Sequence, residues 1–155
     1  MRTLIPLILV LSGTPVITQF VTKFEFVGEL FCSHRPDFLY KINVYEDDWK
    51  GDDLISNTSS VDSKGPPHYY VAHAQDNNDG WPKCIPLDSQ FEIYLHIMHD
   101  CTKFRQHNYF YVDIGKFPID DGFHRVSKDI NVTNAGLWSR VSIPDPTSSN
   151  LNEIV

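Results

Sequence analysis

One stretch of the sequence decides the fold: Phe91-Glu92-Ile93-Tyr94-Leu95-His96-Ile97. Every second residue from Phe91 onward is large and apolar, and Glu92 and His96 lie between the apolar positions. Successive side chains of a β-strand point to opposite faces of its sheet, so a period of two predicts a strand with one buried face. An amphipathic helix would instead show apolar residues every three to four positions.

The same period of two recurs in four other runs of the chain. It is visible at residues 24–32, 40–44, 110–114 and 126–132. Clusters of turn-forming residues separate these runs at 62–67, 76–80 and 120–122. A short helical turn at 50–54 is the only helical alternative. Strands divided by turns, without a convincing amphipathic helix, predict an all-β sandwich.

The two ends of the chain differ from this pattern. Residues 1–18 contain Arg2, an apolar run at 4–11 and then small residues, which is the order of a secretory signal peptide. The cleavage point remains open between a cut near Gln19 and one after Gly13 or Thr14. We expect one β-domain at 21–141 and a flexible Pro- and Ser-rich tail at 142–155.

The charge balance restricts the class of partner. The chain has 13 basic and 20 acidic residues, a net charge of −7. Phosphate binding needs a basic face, so this balance argues against a nucleic-acid partner. No stretch after the signal peptide is apolar enough for a transmembrane helix, so we expect no membrane span.

If the chain is secreted, its three cysteines can form a disulfide and its two sequons can be glycosylated. Cys32, Cys84 and Cys101 imply one disulfide with a spare thiol, or a bridge between chains. The sequons begin at Asn57 and Asn131, which we therefore expect to carry glycans.

Several residue clusters resemble metal or catalytic sites, but each is better explained by a structural role or by a solvated loop. His96 and His99 have a metal-like spacing, but three residues along a strand reverse the face. The loop at 76–80 fails the calcium-loop pattern, and the acidic cluster at 46–53 indicates a solvated loop. Cys101 beside a histidine favours a disulfide over a nucleophile. We therefore predict no catalytic residue, no metal and no cofactor.

Two tryptophans are candidates for binding. Trp49 and Trp81 lie in predicted loops among polar residues. Loop aromatics can anchor a partner, or they can cover the end of a sandwich. We retain both residues as possible binding loops.

An ordered set of short motifs adds a family resemblance. The motifs are Gly28-x-Leu30-x-Cys32, the strand at 42–48 that ends in acidic residues, Asp52-Asp53-Leu54, Asp62-x-x-Gly65 and Ile97-x-His99-Asp100-Cys101. In order and spacing they resemble the transthyretin-like family that is expanded in nematodes. The resemblance implies a prealbumin-like antiparallel β-sandwich with Greek-key character in a secreted protein.

The resemblance also bears on the disulfide, and the chain departs from the family at this point. The pairing that it implies is Cys32–Cys101, with Cys32–Cys84 and Cys84–Cys101 left open. Family members typically carry another cysteine shortly after the His-Asp-Cys motif, and residues 102–111 contain none. Cys84 is this chain's own variation.

The expected function follows from the resemblance and from the missing catalytic groups. Some family members resemble extracellular adaptors, so we expect a non-enzymatic secreted binding protein whose partner is an extracellular protein or lipid. The first alternative is a carrier of a small hydrophobic ligand, as in transthyretin. The second is a metal-dependent hydrolase that uses His96, His99 and Asp100. A related hydrolase family ends in Tyr-Arg-Gly-Ser, which this chain lacks.

Overall fold

A computed structural model describes residues 21–47, 51–57, 61–76, 90–120 and 122–139. These residues form ten strands and no helix. The strands are β1 (Thr22–Phe31), β2 (Asp37–Glu46), β3 (Asp53–Asn57), β4 (Val61–Lys64), β5 (His68–Asp76), β6 (Gln90–His99), β7 (Asn108–Pro118), β8 (Phe123–Ser127), β9 (Ile130–Asn131) and β10 (Leu137–Trp138). The predicted all-β class is therefore confirmed.

The strands form two sheets. The small sheet has the order β5-β1-β8, and β9 also pairs with β1. The large sheet has the order β10-β7-β6-β2-β3, and β4 shares the outer edge of β2 with β3. Every pairing in the large sheet is antiparallel. In the small sheet β1 pairs antiparallel with β5 and parallel with β8 and β9. Two sheets over one core are consistent with a β-sandwich.

The core lies between the inner faces of the two sheets. Strand β6 supplies the four apolar positions of the opening stretch, Phe91, Ile93, Leu95 and Ile97, and all of them are buried. The small sheet contributes Phe24, Phe26 and Leu30 from β1 and Tyr70, Ala72 and Ala74 from β5. The alternation in the sequence therefore identified the buried faces of β1, β2 and β6.

Strand β5 was not predicted, although it is nine residues long. Its inner positions include Ala72 and Ala74, while Tyr69 and Val71 on the outer side are exposed. Because apolar residues occur on both sides, the alternation is hidden. The helical turn considered at 50–54 is also not seen, since β3 begins at Asp53.

The predicted strand at 126–132 is broken in two. Strand β8 ends at Ser127, and Lys128 is exposed rather than buried. Here the chain crosses close to β1, where a Cβ atom on Gly28 would lie 2.1 Å from the carbonyl oxygen of Lys128. The Tyr70 hydroxyl donates a hydrogen bond to that same oxygen at 2.7 Å. Gly28 is therefore required for this crossing.

Several predictions concern residues outside the described ranges. These are the signal peptide at 1–18, the tail at 142–155, Trp49, Trp81 and Cys84. Within the described ranges there is no helix of the length and hydropathy needed to cross a membrane.

Candidate functional site

The motif His99-Asp100-Cys101 closes one end of the sandwich. His99 is fully buried, and its Nδ1 accepts a hydrogen bond from the Cys101 amide at 3.2 Å. The proton therefore resides on Nε2, which donates to the carbonyl oxygen of Ala135 at 3.1 Å. Burial lowers the pKa of His99, which keeps the ring neutral. This histidine therefore links the β9–β10 connection, at Ala135, to the end of β6.

The other two residues of the motif fasten the same end. The Leu39 amide donates to Asp100 Oδ1 at 2.8 Å, and the Asp100 amide donates to the Leu39 carbonyl at 3.0 Å. Cys101 is bonded to Cys32, with 5.9 Å between their Cα atoms. The pairing implied by the family resemblance is therefore present, and it joins the end of β1 in the small sheet to the end of β6 in the large one.

The two histidines with metal-like spacing lie on opposite faces of β6, as predicted from the strand period. His99 points into the core, while His96 is half-buried on the outer face of the large sheet. Among the described residues no group of three or more His, Cys, Asp or Glu side chains could hold a metal ion. His96 and His99 therefore do not face a common site, and both ring nitrogens of His99 are already engaged within the fold.

The outer face of the large sheet carries a cluster of rings. It consists of Tyr45 on β2, Tyr94 and His96 on β6, and Tyr109 and Tyr111 on β7, and we call it the aromatic face. Strand pairing brings these rings together, because Tyr45 lies opposite Tyr94, and His96 lies opposite Tyr111. All five are at least partly exposed, with 61% of Tyr111 accessible.

The rings of the aromatic face are packed against one another. Tyr45 and Tyr94 are stacked, with centroids 5.4 Å apart and planes 7° apart. His96 and Tyr111 are stacked at 5.1 Å, and Tyr94 meets Tyr111 edge to face at 5.5 Å. Tyr109 makes edge-to-face contacts with His96 and Tyr111. Such cross-strand pairs hold each ring in place, so the surface is preorganised.

The electrostatics of the aromatic face favour neutral rings. The Tyr94 hydroxyl donates to a carboxylate oxygen of Asp52. Burial, and then this hydrogen bond, raise the pKa of Tyr94. Burial and the nearby positive charge of Lys41 lower the pKa of His96. The rings themselves are therefore uncharged at neutral pH, with Lys41 and Asp52 beside them and the exposed Asp113 opposite Tyr94.

Two further observations extend the aromatic face. Leu137 on β10 lies opposite Tyr109, and 68% of it is exposed. Asn43 lies between the rings and β3, is 8% exposed, and its buried Oδ1 accepts no hydrogen bond from the described residues. Leu137 therefore gives the aromatic face an exposed apolar border, whereas the Asn43 oxygen is buried within the sheet.

The outer face of the small sheet is different in kind. Its exposed apolar residues include Tyr69 and Val71 on β5 and Phe123 on β8, and 70% of Tyr69 is accessible. Between these strands Arg125 forms an ion pair with Glu25 at 2.9 Å. In the part of the chain that the structure describes, Tyr69 has no ring partner. This face therefore presents separate apolar side chains instead of a packed cluster.

The predicted glycosylation sites take distinct places. Asn131 is exposed on β9, and its Oδ1 accepts a hydrogen bond from the Thr133 amide at 3.0 Å. Asn57 ends β3, and its backbone pairs with that of Asn43. Both remain predicted sites of modification.

Sequence reasoning overlooked the aromatic face, although a signal for it was present. The tyrosines occupy the outward positions of β2, β6 and β7, where alternation treats them simply as the polar side. An aromatic residue at an outward position of each of three strands could have been noticed. The strand order that brings them together could not have been known.

No protein-family model matches the chain. An uncharacterized protein of Caenorhabditis elegans is 25% identical to it over 87 residues, which are 56% of this chain and 61% of the relative. The chain therefore spans less than two thirds of the length of this relative.

Proposed function

We propose that this chain is a secreted, non-enzymatic binding or adaptor protein with a transthyretin-like sandwich, and that it contacts an extracellular partner through the aromatic face. The observation that carries the proposal is the packed cluster of five rings on the side of the large sheet turned away from the core. Tyrosine is enriched at protein interfaces, because its ring provides large contact area at low entropic cost.

The stability of the fold does not account for this cluster. The inner face of the large sheet already buries Ile42, Val44, Ile93, Leu95 and Ile97. Outward positions of a two-layer sandwich normally face water and carry polar residues. Five neighbouring rings on that side are therefore better explained by a contact outside the chain.

The charge of the protein favours a protein partner over a lipid one. The net charge is −7, and Asp52 lies at the border of the aromatic face. Anionic lipid surfaces attract basic segments and repel acidic ones. A lipid partner remains the second possibility within the proposal.

The transthyretin-like and Greek-key parts of the proposal are supported by the positions of the motif residues. Gly28 permits the crossing beside Lys128, and Cys32 and Cys101 form the bond between the sheets. The chain also changes sheet repeatedly, since β1 and β5 belong to the small sheet and β2, β6 and β7 to the large one. Such non-local connections between two sheets are typical of Greek-key sandwiches.

A comparison of three proteins tests the proposal. The wild-type chain, Tyr111→Ser and Tyr69→Ser are each immobilised and exposed to extracellular fluid from the source organism. Tyr69 is the matched control, because it is a similarly exposed tyrosine on the opposite sheet. We expect one partner to be retained by the wild type and by Tyr69→Ser, and to be lost with Tyr111→Ser.

Two outcomes would overturn the proposal. One is that no partner depends on Tyr111, and the other is turnover of a small substrate by the purified chain. Flotation with vesicles of neutral and anionic phospholipid separates the two partner classes. Vesicle binding that is lost with Tyr111→Ser would assign the face to lipid.

The alternative of a carrier for a small hydrophobic ligand has its own discriminating measurement. Transthyretin binds its ligand in a channel made by a tetramer, so a carrier of that kind needs a multimer. The small sheet would offer such a channel the exposed apolar residues Tyr69, Val71 and Phe123. A monomer in light scattering would eliminate this alternative and leave the aromatic-face proposal intact.

A further inference from the structure

A groove of about 440 Å³ lies at the end of the sandwich beside the β1–β2 connection. Phe31, Pro36 and Pro66 form its apolar walls, and His34, Arg35 and His68 supply nitrogen atoms. Its volume is within the range of about 300–1,000 Å³ that is typical of small-molecule sites. It lies outside the aromatic face, so it does not depend on the function proposed above.

Arg35 is the chemically distinctive residue of the groove. Its Nη2 donates to the Thr102 carbonyl at 2.5 Å, and its buried Nε–H has no acceptor among the described residues. None of the ion pairs in the described ranges involves Arg35. A half-buried guanidinium without a carboxylate partner is costly, and an anion is the group that would relieve the cost.

The surroundings of Arg35 restrict the kind of anion. The protein as a whole carries a net charge of −7, which opposes anion binding except where positive charge is local. Glu29 is the one acidic residue in the lining, and it disfavours a ligand with several negative charges. The exposed ring of Phe31 and the proline walls favour a ligand with an apolar body.

We propose that this groove binds a small amphipathic monocarboxylate. Its carboxylate accepts hydrogen bonds from the Arg35 guanidinium, and its apolar body lies against Phe31, Pro36 and Pro66. A guanidinium matches a carboxylate in geometry as well as charge, so the contact is both oriented and charge-assisted. The carboxylate supplies the counter-charge that the described chain does not.

Isothermal titration of the full secreted chain with decanoate, below its micelle concentration, tests the proposal. Acetate tests the need for the apolar body, and decyltrimethylammonium tests the sign of the charge. We expect saturable binding of one decanoate per chain and no measurable binding of the other two probes. Arg35→Gln should weaken decanoate binding by about tenfold or more, because it removes a charge-assisted contact.

Two variants keep this test sharp. Arg125→Gln is the matched control, since Arg125 is an exposed arginine paired with Glu25 on the outer face of the small sheet. It should change the affinity by less than about twofold. Phe31→Glu leaves the Arg35–Thr102 contact in place and should also weaken binding by about tenfold, because it puts a second negative charge beside the ligand.

The proposal is overturned if the wild type shows no saturable decanoate binding. Equal affinity in Arg35→Gln and the wild type, or equally tight binding of decyltrimethylammonium, would also overturn it. Should Arg35→Gln fail to fold, undiminished binding by folded Phe31→Glu serves as the contrary result. The capture experiment with Tyr111→Ser is unaffected by any of these outcomes.

Discussion

The two faces of the large sheet are made by the same strands, yet their rings and histidines have opposite roles. On the inner face His99 is fully buried and bonded on both nitrogens, and it closes the end of the sandwich. On the outer face His96 is half-buried and contacts the rings of Tyr45, Tyr109 and Tyr111, which are themselves partly exposed. The residues of the inner face are therefore needed to pack the core, whereas the rings of the outer face are not needed for that packing and are available for a partner.

The difference teaches how to separate stability from binding in this protein. Inner-face substitutions should lower the free energy of unfolding and leave the partner preference of the folded chain unchanged. Outer-face substitutions should weaken partner binding and change the free energy of unfolding only slightly, because removing an exposed ring forms no cavity. An inner-face substitution that changed the partner of a folded chain, or an outer-face substitution that strongly destabilised the fold, would contradict this division.

The largest expected effect on stability concerns the Cys32–Cys101 disulfide, which joins the two sheets. The double change Cys32→Ser with Cys101→Ser removes a link between residues 69 apart in the sequence. The chain-entropy model predicts a loss of roughly 4 kcal/mol in the free energy of unfolding. Urea unfolding of the purified protein measures it.

Cys84→Ser is the control for the disulfide, because it leaves the Cys32–Cys101 bond intact. It should unfold at nearly the same urea concentration as the wild type. An equal loss in both variants would mean that Cys84 takes part in a bond of comparable importance.

The next effect is a cavity on the inner face. Leu95 is completely buried at the centre of β6, so Leu95→Ala should reduce the free energy of unfolding by about 3 kcal/mol. The refolded variant should still retain the partner in the capture experiment. Loss of capture by a folded Leu95→Ala chain would contradict the separation of the two faces.

A smaller effect is the pH dependence of stability. Burial lowers the pKa of His99 below the ordinary value of 6.5, and burial together with Lys41 does so for His96. A histidine with a lowered pKa binds fewer protons in the folded state than in the unfolded one. Its contribution to stability is therefore complete above about 6.5 and is lost as the pH falls toward the folded pKa.

Urea unfolding between pH about 7.5 and about 5.5 should show this decline in stability. His96→Gln should retain part of the decline, because the buried His99 still contributes to it. NMR titration of the imidazole signals provides a direct measurement. A His99 signal that titrates at or above the ordinary value would contradict the prediction.

The smallest effect on stability belongs to the aromatic face. Tyr111→Ser removes an exposed ring that contributes cross-strand contacts, and should cost about 1 kcal/mol or less. The thermal midpoint measures this cost alongside Tyr69→Ser. A loss as large as that of Leu95→Ala would indicate that the rings serve the fold and not a partner.

The sequence predicted strands well where large apolar residues alternate with polar ones. It predicted β6, and it failed at β5, where Ala72 and Ala74 face inward while Val71 and Tyr69 face outward. The alternation is visible in a sequence when the inward residues are large and apolar and the outward ones are polar. Small inward residues opposite large outward ones therefore hide a strand. Gly28 was noted within a motif, but its closeness to Lys128 depends on where the chain returns.

The candidate site was less accessible to prediction than the fold. Each tyrosine of the aromatic face lies in a strand that the sequence predicted. Their convergence depends on the order β7-β6-β2 and on the register of each pair. Strand pairing is a long-range choice, which a local pattern does not encode.

The sequence by itself determined the strand character of β1, β2, β6 and β7 and the opposite orientation of His96 and His99. Both follow from the backbone geometry of neighbouring residues, in which side chains alternate whatever the strand later pairs with. The tertiary structure alone decided that β1 runs parallel to β8, that Cys32 meets Cys101, and that the rings and the Arg35 groove are assembled. These features join residues far apart in the chain, so only the packing of the two sheets brings them into contact.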